Sequence, residues 1–235
     1  MSLVELIAQA DERGLAASGL ACLDRCVPLL GGDDDDVLRP LWTSLVDGDA
    51  WGERVAKARA DLGEPGELGE PGDLGEPGDL GEPGELGELS ELGVWAELDL
   101  GFGVRAGTGS GSGSGSSASP DDQAALLARH MLAKVPVEYS ADALRVWADD
   151  CSVAALQIHE LLDIAADGTS SVAARREGRT DGMSPLVAAE LRRQIAILEL
   201  LADHGAGGLR LVLGRSTEGR RVLRAVVSRR ARGRA

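Results

Sequence analysis

Aromatic side chains and lysine are scarce in this chain. Its 235 residues include 4 Trp, 1 Tyr and 1 Phe, and Lys57 and Lys134 are the only lysines. No apolar run is long enough for a transmembrane helix. Three scattered cysteines, Cys22, Cys26 and Cys151, are too few for a disulfide framework. The opening Met-Ser-Leu-Val-Glu lacks the basic stretch of a secretory leader. Free thiols without a leader predict a reducing, cytoplasmic location. The apolar share of 43% is too high for a wholly disordered protein.

Acid is abundant, and it is unevenly placed. The formal net charge is −15, and residues 62–100 supply 12 acids without a base. Residues 209–235 carry nine Arg against the single acid Glu218. The mean charge therefore hides a strong asymmetry along the chain. An acidic protein makes a poor general nucleic-acid binder, but a local basic segment acts on its own. The near-exclusive use of Arg also fits a gene of high GC content, which weakens Arg as a sign of phosphate contact.

Glycine separates folded from unfolded stretches. Residues 62–85 repeat LGEPGE or LGEPGD, with Gly at every third position from Gly63 to Gly87. That is the collagen period. The acid between successive glycines has no basic partner, so three aligned chains would repel one another. A solvated acidic spacer is the better reading. A Gly/Ser linker follows at 107–117. Between the two, 88–104 carries Leu89, Leu92, Trp95 and Leu98 at helical spacing and is expected to pack back on the helical part.

Elsewhere the apolar residues recur with helical period. Leu3, Leu6, Ile7 and Ala10 predict a first helix ended by Gly14, and Leu20, Leu23 and Val27 a second helix over 16–27. Asp33–Asp36 would cap a third helix over 37–46. Trp51, Val55, Ala58 and Leu62 form the stripe of a fourth. Ser119-Pro120-Asp121-Asp122 is a strong helix start. Ala124, Leu127, Ala128, Met131 and Val135 then lie on one side. Leu144, Trp147, Cys151, Ala154, Ile158, Leu161 and Ala165 make a heptad seam over 141–166. Ala188, Leu191, Ile195, Leu198 and Ala202 make another after Ser184-Pro185. The two seams predict an antiparallel hairpin. A short helix is expected near Val172, a break at 204–208, an ambiguous run at 209–213, a basic helix over 217–229 and a frayed tail.

The expected fold is all-α: an irregular bundle or array of about nine helices with two low-complexity inserts. The parts are 1–62, the spacer 63–87, the returning helix 88–104, the linker 105–118, the hairpin part 119–215 and the Arg-rich end 216–235.

No residue type forms a catalytic motif at a recognised spacing. Cys22 and Cys26 stand four apart on a helix and could form half of a soft-metal site, completed by Cys151 and a His. Core packing explains them better, since Cys is among the most buried residue types. His130, His159 and His204 have no nucleophile or metal motif beside them. His159 lies off the seam, and with Asp163 reads as a solvated helix face. Asp142, Asp149 and Asp163 also read as solvated. The glycine pattern at 101–106 lacks the following helix of a dinucleotide site, and 205–208 lacks the Lys of a phosphate loop. The calcium-like start at 47–52 lacks its closing Glu.

The Arg-rich end remains. Arg220, Arg221, Arg224, Arg229 and Arg230 are the candidate contacts to an anion or partner. These observations predict a non-enzymatic helical interaction or adaptor protein without a cofactor, acting on an unknown protein partner and able to self-associate. A nucleic-acid-associated regulator using the same arginines is the alternative, and a metal or redox sensor using Cys22 and Cys26 a further one.

Overall fold

The computed structural model describes residues 1–31, 36–46, 49–63, 119–163 and 171–233. The acidic repeat, the 88–104 segment and the Gly/Ser linker lie outside the described residues. Within them the chain is all helix and turn: α1 (Leu3–Gln9), α2 (Glu12–Cys26), α3 (Arg39–Ser44), α4 (Trp51–Gly63), α5 (Pro120–Ala133), α6 (Ala141–Leu162), α7 (Val172–Arg176), α8 (Pro185–His204) and α9 (Leu209–Gly233). This is the expected multi-helix all-α fold.

Local chemistry sets many of the helix starts. Ser2 and Glu5 form a reciprocal capping box on α1, and Ser119 and Asp122 form one on α5. Ser184 caps α8 ahead of Pro185. The first two helices divide differently from the expectation. Ala10, not Gly14, ends α1, because the Asp11 carboxylate accepts from Gly14 N at 2.7 Å and starts α2 there. The third helix is shorter than expected, starting at Arg39 behind Leu38 with no side-chain cap.

Helix α2 is the axis of the bundle. Every residue from Gly14 to Cys26 is buried, although periodicity marked only one stripe. Gly14, Ala16, Ala17, Ser18, Gly19 and Ala21 are small, so neighbours close in around the helix. Helix α6 packs on α2 and α5 most extensively, α9 lies along α2, and α8 bridges α6 and α9. The expected α6–α8 pairing is present, but as one of several α6 interfaces. One continuous core draws on α1 to α6, α8 and α9.

The four expected α4 positions, Trp51, Val55, Ala58 and Leu62, are all buried, as are the five on α5 and its end. The few large side chains meet at one place. Trp147 lies against Gly19, and its indole donates to Met131 O at 3.0 Å. Trp51 stands edge-on to Trp147 and Tyr139, with ring centroids 6.4 and 5.3 Å away. Its indole donates to Pro136 O at 2.7 Å.

The α8 seam is rotated from the one read off the sequence. Val187, Glu190, Leu191, Gln194, Ile197, Leu198 and Leu201 face inward, while Ala202 is exposed and Ala188 and Ile195 are half-buried. Two of the innermost positions are polar, so apolar periodicity pointed to the wrong edge of the helix.

The C-terminal segment also differs. After a 3-10 turn at Gly205–Gly208, α9 runs unbroken from Leu209 to Gly233. Glycine weakens a helix locally by about 1 kcal/mol, yet α9 takes in both the run at 209–213 that read as ambiguous and the following Gly214. Burial of Val212, Ser216, Gly219 and Leu223 holds the helix together. Gly219 is required there: a Cβ would collide with the stem of Arg25, which crosses between α2 and α9. Gly219→Ala is expected to cost about 1–3 kcal/mol. Chemical denaturation measures this, and an unchanged midpoint contradicts the close crossing.

Candidate interaction surface

The basic end splits into an inner and an outer face. On the inner face, Arg220 is 5% exposed and donates to Asp24 Oδ1 at 3.0 Å. Ser216 donates to Asp24 Oδ2 at 2.6 Å and to Ala21 O at 3.2 Å. Arg230 donates to Asp121 Oδ1 at 2.8 Å and to Leu162 O at 3.3 Å. Arg220 and Arg230 were expected to meet a partner; both instead clamp α9 onto α2, α5 and α6. Arg224 is half-buried. Helical phase explains the division, because Arg220 falls on the same side as Val212, Ser216 and Leu223.

On the outer face, Arg210, Arg215, Arg221, Arg229 and Arg232 are exposed, with Glu218 as the one acid among them. Arg210 and Arg215 were not among the candidate contacts, because they precede the basic helix expected over 217–229; Arg232 lies just past its expected end, in what was read as the tail. Beside this face, Ala189, Arg192, Arg193, Ile195, Ala196, Glu199, Arg215 and Glu218 line a groove of about 530 Å³ between α8 and α9. The groove shares Arg215 and Glu218 with the outer face, and arginines outnumber acids across the two.

Beneath that surface lies a polar centre that periodicity did not reveal. Arg25 of α2 and Glu190 of α8 form a bidentate pair, Nε to Oε2 at 2.9 Å and Nη2 to Oε1 at 2.5 Å. Both side chains are 0% exposed. Gln194 donates to Glu190 Oε1 at 2.9 Å and accepts from Ser152 Oγ at 2.7 Å. His159 of α6 places Nε2 3.5 Å from Glu190 Oε2, and its Nδ1–H donates to Ala155 O at 2.7 Å. His159 was expected on a solvated face; it is fully buried because α6 is covered on more than its seam.

Burial alone would raise the Glu190 carboxyl, but the Arg25 guanidinium beside it holds it at about 2. Burial lowers His159 below the usual imidazole range, opposed by Glu190 and by the Ala155 hydrogen bond. The centre thus holds one neutralised ion pair and an imidazole kept uncharged. It ties α2, α6 and α8 together, and its residues line neither the α8–α9 groove nor the pocket around Asp24, Trp42 and Arg220.

Cys22, Cys26 and Cys151 are free thiols and fully buried. Burial pushes the Cys22 thiol up to about 12 and raises the other two, which keeps all three protonated and unreactive. No three His, Cys, Asp or Glu side chains among the described residues gather so as to hold a metal ion. Asp142 is exposed, Asp149 pairs with Arg176, and Asp163 accepts from Leu186 N at 3.3 Å at the start of α8. His130 is half-buried, and burial lowers its ionisation. His204 sits exposed at the end of α8, 3.2 Å from Leu200 O.

No helix among the described residues is long and apolar enough to cross a membrane. No protein-family model, curated protein or solved structure matches the chain.

Proposed function

We propose that this protein is a non-enzymatic helical interaction protein, an adaptor whose docking element is the outer face of α9 and whose partner is an acidic protein. The observation that carries this reading is the set of exposed arginines on one face of a helix whose opposite face is locked into the core. The backbone that carries these arginines is already ordered as helix, which removes one cost of binding, and their charge speeds encounter with an acidic surface. The reading assigns no cofactor and no catalytic group. Three free cysteines fit a cytoplasmic setting.

Capture from native lysate by wild-type protein and by an Arg221→Glu/Arg229→Glu double variant tests the reading. The expected result is an acidic protein retained by wild type, depleted at least about tenfold with the variant and indifferent to nuclease treatment. Retention abolished by nuclease would assign the face to nucleic acid, the competing reading. Equal retention by the variant would remove α9 from the interaction.

A further inference from the structure

The exposed residues of α9 carry a repeat. Arg210, Gly214, Thr217, Arg221, Ala225, Ser228 and Arg232 follow one another at steps of 4, 3, 4, 4, 3 and 4. Six of these are exposed and Thr217 is half-buried. The unit is an arginine followed by two small residues, recurring every eleven positions. Eleven residues make almost three whole helical turns, drifting by only about 20°. The three arginines therefore stay in one line along α9, about 16 Å apart at about 1.5 Å per residue.

Between the charges the surface is low. A Cβ placed on Gly214 would meet nothing within 4 Å. The Thr217 hydroxyl donates to Leu213 O at 2.9 Å, within its own helix. Small residues at a contact let a second helix approach to the short end of the usual range, about 8 Å between axes. No ion pair or hydrogen bond ties the side chains of Arg210, Arg221 or Arg232 to another described residue.

Resting on the interaction reading above, we infer that the partner element is an acidic α-helix laid along this lane, with carboxylates at eleven-residue intervals opposite Arg210, Arg221 and Arg232. A helix shares the eleven-residue period and so meets all three arginines without either element bending. An extended chain advances about 3.3 Å per residue and has no matching turn. A nucleic-acid backbone offers near-continuous charge, which neither the spacing of the arginines nor the flanking Glu218 carboxylate favours.

The test uses the full-length protein and a synthetic Ala/Gln-rich helical peptide as long as α9, with three Glu spaced by eleven. A second peptide carries the same three Glu spaced by seven, and duplex DNA serves as competitor. Fluorescence anisotropy reads the affinities. The eleven-spaced peptide is expected to bind at least about fivefold more tightly than the seven-spaced one. Arg221→Glu should weaken it by about five- to tenfold. Changing the peptide's central Glu to Arg should restore binding to that variant. Arg221 is exposed, so the variant keeps its fold, as circular dichroism verifies. Equal binding of the two peptides, or failure of the charge swap, would overturn the register while leaving a cationic docking face intact. Absence of peptide binding together with tight DNA binding would overturn both.

Discussion

Glu190→Ala is expected to destabilise the protein by about 3–5 kcal/mol, the cost of leaving a buried partner charge uncompensated. Arg25 would remain fully enclosed with its principal counter-charge gone. Gln194 and His159 would lose the carboxylate they face. A denaturant titration measures the loss, and a change under about 1 kcal/mol would contradict the ion pair at the centre of the bundle.

The same centre governs acid stability. Glu190 titrates at about 2 in the fold against 4.5 for the free group. Its folded value is depressed, so its contribution is complete above about pH 4.5 and is lost as pH falls toward 2. Its size is about 3 kcal/mol, at about 1.4 kcal/mol per pKa unit. His159 is also depressed from 6.5. The unfolded chain binds that proton first, so His159 starts to cost stability as pH falls below about 6.5. Stability should thus decline in two stages on acidification. The His159→Gln variant should lose most of the earlier stage, the remainder coming from the half-buried His130, whose ionisation burial also lowers; pH-dependent denaturation midpoints would reveal the loss. A variant whose earlier stage is undiminished would show that His159 is not its source.

Trp147→Ala is expected to cost about 3–5 kcal/mol, the range for removing a large enclosed aromatic. The side chain touches α2 at Gly19, donates to Met131 O from α6, and supports the edge of Trp51. A double-mutant cycle with Gly19 sharpens the result. Alone, Gly19→Ala drives a methyl into the indole and should cost about 1–3 kcal/mol. In the Trp147→Ala background the ring is gone, and helix propensity favours alanine over glycine by about 1 kcal/mol. The same substitution should then be neutral or stabilising. Additive effects would show that the two residues do not touch.

The contrast between α4 and α8 shows where sequence reading succeeds. Trp51, Val55, Ala58 and Leu62 bury one face of α4, so apolar period and buried face coincide. On α8, Glu190 and Gln194 occupy the buried face, and hydrophobicity is blind to a polar side chain satisfied by a distant partner. Arg25 and Glu190 are 165 positions apart, far beyond any window in which periodicity operates. The exposed basic surface was half legible for the same reason. The wealth of arginine after residue 209 was plain, but not which arginines look outward. Arg220 and Arg221 are neighbours in sequence; one is buried against Asp24 and the other exposed.

Composition, capping residues and the helical period were enough to establish an all-α fold, the starts of α5, α6 and α8, and an acidic and a basic segment separate along the sequence. These are local properties, set by backbone hydrogen bonding and by side chains within a turn or two. Tertiary packing decided the rest. It enclosed α2 on all sides, placed an ion pair and an imidazole at the meeting of α2, α6 and α8, and held α9 continuous through its glycines. It also turned one row of arginines outward. Burial depends on which helices meet, and helices meet through contacts between residues far apart in the chain.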